Sequence, residues 1–496
     1  MFSQSLAVAF ATLSLALAAP RRTGPYKHVA VFSVDGLHAS DLDKYVALRP
    51  NSNISALLKT GYEYSGAYTS APSDSFPGTV AQFTGATPRT TGVWYDDIWN
   101  RNIFAPGSNC YGPPGYDTDS TEDLDYNSTE LFSGGIDPAH LPKIIVDGKC
   151  TLQYPHNRLQ VNTVFEIIKA SGKQTAYVDK HPAYDVVRGP SGTGLSTGYF
   201  PEIESIPGNN IPAVMAYDQL HVNAFLDYLD ATVPANSEGN LTAVPALFGG
   251  NFQSVNVAQK TYGYQNTTGF PFSAPILEVI DFVDASFGAV VNKLKSKGLY
   301  NDTLIIVASK HGNAPINPAL FGEVNPIQIT NATGVPVEWQ TSDDIALIFL
   351  NESSTTATAV ANLNDDRTAG RILNIFADAP GATPLASQAC LAHNGDPGFG
   401  TPVNSPFVPD IIVQPDVGII YTTSKKKVEE HGGLSADDRN VACFVSSPKI
   451  TKAQKFTQRV FTTQIAPLIL EALGIDGGEL EGVRAEGTQI LPGFEW

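Results

Sequence analysis

Residues 28–36 read HVAVFSVDG, a run of apolar and β-branched residues that stops at an Asp-Gly pair. A run that is apolar at almost every position is typical of a strand buried on both faces of a parallel sheet. The Asp-Gly pair marks the loop at the end of that strand. We therefore expect Asp35 at the carboxyl edge of the sheet, where ligands bind in open α/β proteins.

Outward from this strand, apolar strand patterns alternate with amphipathic helix patterns, which predicts an α/β fold with a largely parallel sheet. Further strands are predicted in residues 174–179, 303–309, 344–350, 410–423 and 440–448, and helices in residues 51–61, 274–298 and 461–475. We expect one domain over residues 27–496, with insertions near 100–155 and 365–408.

Polar residues follow two more of the predicted strands. Asp179 ends the strand at 174–179, with Lys180 and His181 directly after it, and His311 follows the strand at 303–309. Together with Asp35, they make a group of candidate ligands or catalytic groups at strand ends. The alternative for Asp179, Lys180 and His181 is a solvated junction between strand and loop.

Residues 71–78 read APSDSFPG and contain a serine just before a predicted helix. Ser75 is either a nucleophile for an oxyanion substrate or a turn residue that caps the helix. An anionic substrate also needs local positive charge and hydrogen-bond donors. The choice therefore depends on which groups surround Ser75.

The whole chain of 496 residues has a formal net charge of -18. A surface this acidic argues against binding to duplex nucleic acid or to anionic membranes, so a small-molecule substrate is expected. Residues 1–18 resemble a signal peptide, because an apolar run ends in small residues. A secreted glycoprotein is expected, and seven sequons fit it, at Asn53, Asn127, Asn240, Asn266, Asn301, Asn331 and Asn351.

Four cysteines stand at positions 110, 150, 390 and 443. An even count in a secreted protein fits two disulfides, although the sequence allows three pairings. We favour Cys110–Cys150 with Cys390–Cys443, because each pair closes the shorter loop. The alternative is four buried free thiols.

Four segments taken in order resemble the alkaline phosphatase superfamily, and within it the type I phosphodiesterase/nucleotide pyrophosphatase family. They are FSVDGL at 32–37, PSDSFPGTVAQFTGATPRTTGVWYDD at 72–97, TLIIVASKHG at 303–312 and EEHGGLSADDRNVACFVSSP at 429–448. The resemblance implies a central mixed, mainly parallel sheet between helices. It also implies phosphate ester or diester hydrolysis by a Thr or Ser nucleophile, usually with two zinc ions.

The resemblance assigns roles to single residues. Ser75 matches the nucleophile, and Asp35 matches the first metal-binding aspartate. His311 matches the histidine of an Asp-His-Gly motif, and His431 matches a late histidine of the other metal site. Asp35, Ser75, His311 and His431 are thus the expected metal ligands, and Ser75, Lys310 and His311 the expected catalytic residues.

The chain also departs from the family pattern. The aspartate of Asp-His-Gly is Lys310 here, and an asparagine expected after the nucleophile is Gly78. An expected Asp-x-x-x-His pair is replaced by a segment that offers Asn251, Gln253 and Asn256, none of them a strong zinc ligand. We keep Asp179, Lys180, His181, Asn251 and Gln253 as possible substrate contacts or supporting residues.

Three outcomes stay open at this point. One zinc or other divalent ion, or two, binds at the site; no metal binds, and Lys310 and Lys180 supply the positive charge; or the site is inactive. The first hypothesis is a secreted phosphate (di)ester hydrolase that uses Ser75. The alternatives are a metal-poor enzyme acting on sulfate or carboxylic esters, and a non-catalytic glycoprotein that binds a ligand.

Overall fold

The computed structural model describes residues 24–119, 122–386, 398–403 and 405–495. Its strands are β1 (His28–Val34), β2 (Gly61–Tyr64), β3 (Ala67–Tyr68), β4 (Asp97–Asn100), β5 (Tyr116–Asp119), β6 (Lys143–Val146), β7 (Lys149–Leu152), β8 (Thr175–Val178), β9 (Thr197–Tyr199), β10 (Glu238–Gly239), β11 (Leu247–Phe252), β12 (Thr303–Ala308), β13 (Gly322–Val324), β14 (Val337–Ser342), β15 (Ala346–Leu350), β16 (Ile372–Phe376), β17 (Ile411–Pro415), β18 (Ile419–Tyr421), β19 (Cys443–Ser446), β20 (Gln454–Phe456) and β21 (Val460–Phe461).

The α-helices alternate with these strands along much of the chain, as the sequence predicts. They are α1 (Ala39–Leu48), α2 (Asn53–Leu58), α3 (Ser75–Thr84), α4 (Pro88–Thr91), α5 (Val164–Ala170), α6 (Ile211–Leu229), α7 (Ser254–Tyr262), α8 (Ala274–Ser296), α9 (Pro326–Ala332), α10 (Thr356–Asp365), α11 (Ala436–Arg439), α12 (Ile465–Ala472) and α13 (Glu481–Glu486).

A nine-stranded mixed sheet forms the centre, in the order β10-β9-β8-β11-β1-β12-β19-β2-β20. The five strands from β9 to β12 in that order pair in parallel, and β10, β19 and β2 supply the antiparallel pairings. Strand β1 lies in the middle of the sheet, between β11 and β12. The expected mainly parallel sheet is therefore confirmed.

Both faces of this sheet are covered, which explains the uninterrupted apolar run in β1. Successive side chains of a strand point to opposite faces. Val29 and Val31 pack into the core on the side of α3, α5 and α12. Ala30, Phe32 and Val34 pack into the core on the side of α2, α6, α7 and α8.

A smaller antiparallel sheet, in the order β14-β15-β17-β16, packs its own apolar core. The segment that the sequence predicts as a strand at 344–350 forms β15 of this sheet rather than a strand of the central one. The segment predicted at 410–423 is two strands: β17 belongs to this sheet, and β18 pairs with β13 in a separate two-stranded sheet. Within the span 100–155, β6 and β7 form an antiparallel hairpin. None of the helices in the described ranges is long and apolar enough to cross a membrane.

The cysteines behave differently from one another. Cys110 and Cys150 form the expected disulfide, which joins the 100–155 span to itself. The expected disulfide between Cys390 and Cys443 is wrong, because Cys443 is a buried free thiol. Its side chain points from β19 into the apolar core, where burial raises the pKa of the thiol to about 12. Cys390 lies outside the described residues, as do the proposed signal peptide and part of the second insertion.

Candidate active site

Four neighbouring parallel strands of the central sheet, β8, β11, β1 and β12, end at one edge. Asp179 follows β8, Gln253 follows β11, and Asp35 follows β1. Lys310 and His311 follow β12 after one intervening serine. The strand-end residues that the sequence singles out therefore converge on one place.

Asp35 is fully buried and accepts hydrogen bonds mainly through one oxygen, Oδ2. Asn251 donates to it through Nδ2 at 3.2 Å, and Gln253 donates to the same oxygen through Nε2. The ammonium of Lys310 lies 3.3 Å from this oxygen as well. All three partners are N–H donors, so this carboxylate oxygen is occupied by hydrogen-bond donors.

The carboxyl of Asp35 stays ionised because of the cations around it. Burial by itself raises the pKa of the Asp35 carboxyl. The ammonium groups of Lys310 and Lys180 and the hydrogen bond from Asn251 oppose that effect, and the net pKa lies below the ordinary value of an aspartate. Asp35 is therefore an anion at neutral pH, compensated by ammonium groups.

Lys310 is enclosed by protein on every side, with no exposed surface. Its Nζ lies 3.3 Å from Asp35 and 3.3 Å from Asp179 Oδ1, and it donates to the Tyr184 hydroxyl at 2.8 Å. The pKa of Asp179 is raised by burial, and Lys310 opposes that rise. Lys310 thus joins two buried carboxyl groups.

Gly78 explains a second departure from the family pattern. A Cβ at position 78 would clash with the backbone carbonyl of Lys310, because α3 packs directly against that loop. Glycine is the residue that permits such an approach. An asparagine at position 78 would therefore not fit beside this loop, and the two departures, at 78 and at 310, meet in one contact.

Ser75 is the first residue of α3, and its neighbour Asp74 caps the helix by accepting a hydrogen bond from Phe76 N at 3.3 Å. Lys180 Nζ donates to Ser75 Oγ at 3.0 Å. The same ammonium lies 3.9 Å from Asp35. The cation beside the serine hydroxyl is therefore Lys180, whereas Lys310 is fully buried next to Asp35.

The two histidines, His311 and His431, are in contact at this site, with ring centroids 3.9 Å apart and ring planes tilted by 44°. His311 Nε2 lies 3.9 Å from Asp35 Oδ2, and His431 Nδ1 lies 3.4 Å from Asp74 Oδ1. Burial lowers the pKa of His311 to about 3 and the pKa of His431 well below its ordinary value. Both imidazoles are neutral at physiological pH.

A cleft of about 780 Å³ opens above Ser75. Its lining includes Lys180, His181, Gln253, Asn256 and His431. Asp35, Asp179, Asn251, Lys310 and His311 are not among the residues that line the cleft and lie beneath its floor.

Farther along the cleft, Glu430 forms ion pairs with Lys260 and with Lys427. Burial raises the pKa of Glu430, but the two lysines outweigh it and bring the pKa to about 2. The nearby carboxyl of Asp343 has its pKa raised to about 8, first by burial and then by Glu430. The raised pKa favours the neutral form of Asp343, and Glu430 is paired with two lysines. This end of the cleft is therefore less negative than the number of its acidic side chains suggests.

His181 lines the cleft and has its Nδ1 against the buried carboxylate of Glu202, at 2.7 Å. Lys260 is a cleft residue that sequence reasoning missed. It follows Asn256 by four residues on α7, so the two share one helix face. Helical spacing from Gln253 and Asn256 was the signal that could have found it.

The side chains present do not fit a two-zinc centre. Zinc is bound by deprotonated thiolates, neutral imidazoles and carboxylates. Here Asp35 Oδ2 faces three N–H donors, and the position of a family aspartate holds the Lys310 ammonium, which repels a cation. Across the described ranges, no three His, Cys, Asp or Glu side chains are grouped so that they could hold a metal ion.

The fold is that of known phosphoesterases. Murine ectonucleotide pyrophosphatase/phosphodiesterase 5, solved as an inactive variant with AMP, superposes with a TM-score of 0.57 at 15% identity, over 91% of this chain and 96% of that one. The human enzyme of the same name gives 0.53 at 16% identity, over 90% and 95%. A mutant of the alkaline phosphatase PafA gives 0.57 at 14% identity, over 92% and 97%.

No curated protein matches the chain in sequence. A family model does match it, however, over residues 29–437, and that model describes type I phosphodiesterases and nucleotide pyrophosphatases. The match spans the segments around Asp35, Ser75 and His311 and ends after His431. The chain therefore belongs to the type I phosphodiesterase/nucleotide pyrophosphatase family, with an alkaline-phosphatase-like fold.

Proposed function

We propose that this protein hydrolyses phosphate esters through Ser75, with lysine ammonium groups in the place that metal ions take in its relatives. The observation that carries the proposal is the 3.0 Å contact between Lys180 Nζ and Ser75 Oγ at the base of the cleft. A family fold with a serine at the nucleophile position supports hydrolysis.

Two features favour attack by Ser75. A nearby positive charge stabilises the alkoxide form of a hydroxyl, and Lys180 supplies that charge. Ser75 also lies at the N-terminus of α3, a helix of 10 residues, where the helix dipole favours negative charge. The buried helix cap, Asp74, has its pKa raised by burial, which weakens its competition with an anionic substrate.

The proposed reaction has two steps. Ser75 Oγ bonds to phosphorus while the bond from phosphorus to the leaving oxygen breaks, and the hydroxyl proton ends on the leaving alcohol. Water then attacks the phosphoserine, which restores Ser75 and releases the phosphate. Lys180 stabilises the negative charge that develops on the phosphoryl oxygens.

Nucleotide esters are the first substrates to test, because a structural neighbour was solved with AMP. Positive groups along the cleft, among them Lys180, Lys260 and Lys427, suit an anionic substrate within an acidic protein. The phosphate would then be drawn to the cleft by local charge, against the overall charge of -18.

The test is a panel of chromogenic substrates. They are p-nitrophenyl phosphate, bis(p-nitrophenyl) phosphate, the p-nitrophenyl ester of thymidine monophosphate, p-nitrophenyl sulfate and p-nitrophenyl acetate. We expect turnover of a phosphate substrate, its loss in Ser75→Ala, and partial activity in the matched control Ser75→Thr. Acid quenching followed by mass spectrometry should find phosphate on Ser75. Turnover that survives in Ser75→Ala contradicts the proposal. Turnover of the sulfate or the acetate alone supports changed chemistry, and no turnover supports a ligand-binding role.

We also propose that the protein is secreted and glycosylated. The signal-like residues 1–18, the seven sequons and the Cys110–Cys150 disulfide support this. Expression in a secreting host should give a product that starts after residue 18 and shrinks on endoglycosidase treatment. An intracellular product of unchanged mass would contradict it.

A further inference from the structure

A second cavity, of about 310 Å³, lies on the other side of Phe76 from the cleft. Phe76 lines both spaces, whereas Ser75 lines only the cleft. The walls come from the core and from both predicted insertions, with Ile144 on β6 in the first and Phe407 near the end of the second. A volume of this size lies within the range of small-molecule sites.

Most of the cavity wall is apolar. Val93, Leu159, Val186 and Phe407 line it, and each is at least nine-tenths buried. The charged side chain on the lining, Arg158, is already engaged within the protein. The cavity therefore suits an uncharged molecule with an apolar body.

Gln153 places a buried polar atom without a hydrogen-bond partner at this cavity. Gln153 is 5% exposed, and its Oε1 accepts no hydrogen bond from the protein. Gln153 lines the cavity directly. Since buried polar atoms are almost always hydrogen-bonded, this oxygen calls for a donor, and the cavity is where a donor could enter.

We propose that this cavity binds a small uncharged molecule with an apolar ring body and one O–H or N–H group that donates to Gln153 Oε1. The bound molecule contacts Phe76, the residue next to Ser75, and so is in contact with a wall of the cleft. It is separate from the phosphate ester, because Ser75 and Lys180 do not line this cavity. The inference goes beyond the proposed hydrolysis and does not require it.

The probe is 2-naphthol, with 2-methoxynaphthalene as a ligand of similar shape that cannot donate. Titration calorimetry should give saturable binding of 2-naphthol at one site. A single hydrogen bond should make it bind about threefold to tenfold more tightly than the methyl ether. Gln153→Leu should remove that preference, and the exposed control Gln219→Leu should keep it.

Two further variants separate this site from the catalytic one. Ile144→Trp, on the half-buried rim of the cavity, should weaken both ligands, whereas Ser75→Ala should bind 2-naphthol as the unaltered protein does. The inference is overturned if neither ligand binds saturably, or if Gln153→Leu still prefers 2-naphthol. Because binding is measured without turnover, a failed hydrolysis assay leaves this result unaffected.

Discussion

Two lysines lie beside Asp35, and their surroundings are opposite. Lys310 has no exposed surface and lies between the carboxyl groups of Asp35 and Asp179. Lys180 lines the cleft and donates to the hydroxyl of Ser75. Both bring positive charge to a place where the family usually has metal ions, but only Lys180 faces the cleft.

The difference separates stability from chemistry within one site. A buried ammonium between two carboxyl groups acts on the folding energy, since an unpaired buried charge is costly. An ammonium next to a nucleophile acts on the transition state. Substitution of Lys310 should therefore lower stability most, and substitution of Lys180 should lower turnover most.

The largest effect is expected from Lys310→Ala, which leaves Asp35 and Asp179 buried without their shared cation. We expect a loss of about 3–5 kcal/mol in the free energy of unfolding, measured by denaturant titration. The double variant Lys310→Met with Asp35→Asn removes the ammonium and the charge of Asp35, and the raised pKa of Asp179 favours its neutral form, so much of that loss should be recovered. A loss below about 1 kcal/mol would place Lys310 outside the buried ion pair.

Lys180→Ala should act mainly on turnover. Expressed as a free energy, its effect should be smaller than the loss of stability expected for Lys310→Ala. Removal of one preorganised donor typically lowers kcat by about 10²–10³. The unfolding free energy should fall less than in Lys310→Ala, because Lys180 borders the cleft. Lys180→Arg keeps the charge and should keep more of the turnover. Unchanged kcat in Lys180→Ala would end the proposed role of this residue.

The third effect concerns pH and the loop that carries His431. Asp438 accepts hydrogen bonds from Gly433 N and from the Ser435 hydroxyl, while burial raises its pKa to about 6. A raised folded pKa means that the folded state binds the proton more tightly. The resulting stabilisation is complete below the unfolded pKa of about 4 and is lost as the pH rises to about 6.

Asp438→Asn does not titrate, so its stability relative to the unaltered protein should rise by up to about 3 kcal/mol between pH 4 and pH 7. Denaturant titrations at several pH values measure this. Asp43→Asn, at an exposed carboxylate, is the matched control. A difference between Asp438→Asn and the unaltered protein that does not change with pH would contradict the raised pKa.

Much of the fold and of the site could be predicted from sequence. The apolar run of β1 ends at Asp35 because a strand buried on both faces leaves few polar positions before its loop. The same logic placed Asp179 and His311 correctly at strand ends. The match around Ser75 was long enough to predict the start of α3.

The division of labour between Lys180 and Lys310 could not be predicted. Each follows a strand end, and the direction of a side chain there depends on loop geometry that no residue pattern fixes. Gly78 showed a departure in sequence, but its cause, the approach of α3 to the Lys310 carbonyl, is visible only in three dimensions. The predicted pairing of Cys443 rests on loop length alone. That criterion does not show that the side chain of Cys443 is buried in the core on β19.

Whether lysines replace metal ions at this site is tested most directly by measuring metal content and turnover on the same sample. The protein is dialysed against EDTA, its metal content is determined by mass spectrometry, and hydrolysis of the best phosphate substrate is followed before and after zinc is added. If the lysines take the place of metal ions, turnover should be complete with fewer than about 0.1 metal ions per chain and should not rise when zinc is added. Turnover that disappears with EDTA and returns in proportion to bound zinc would contradict it.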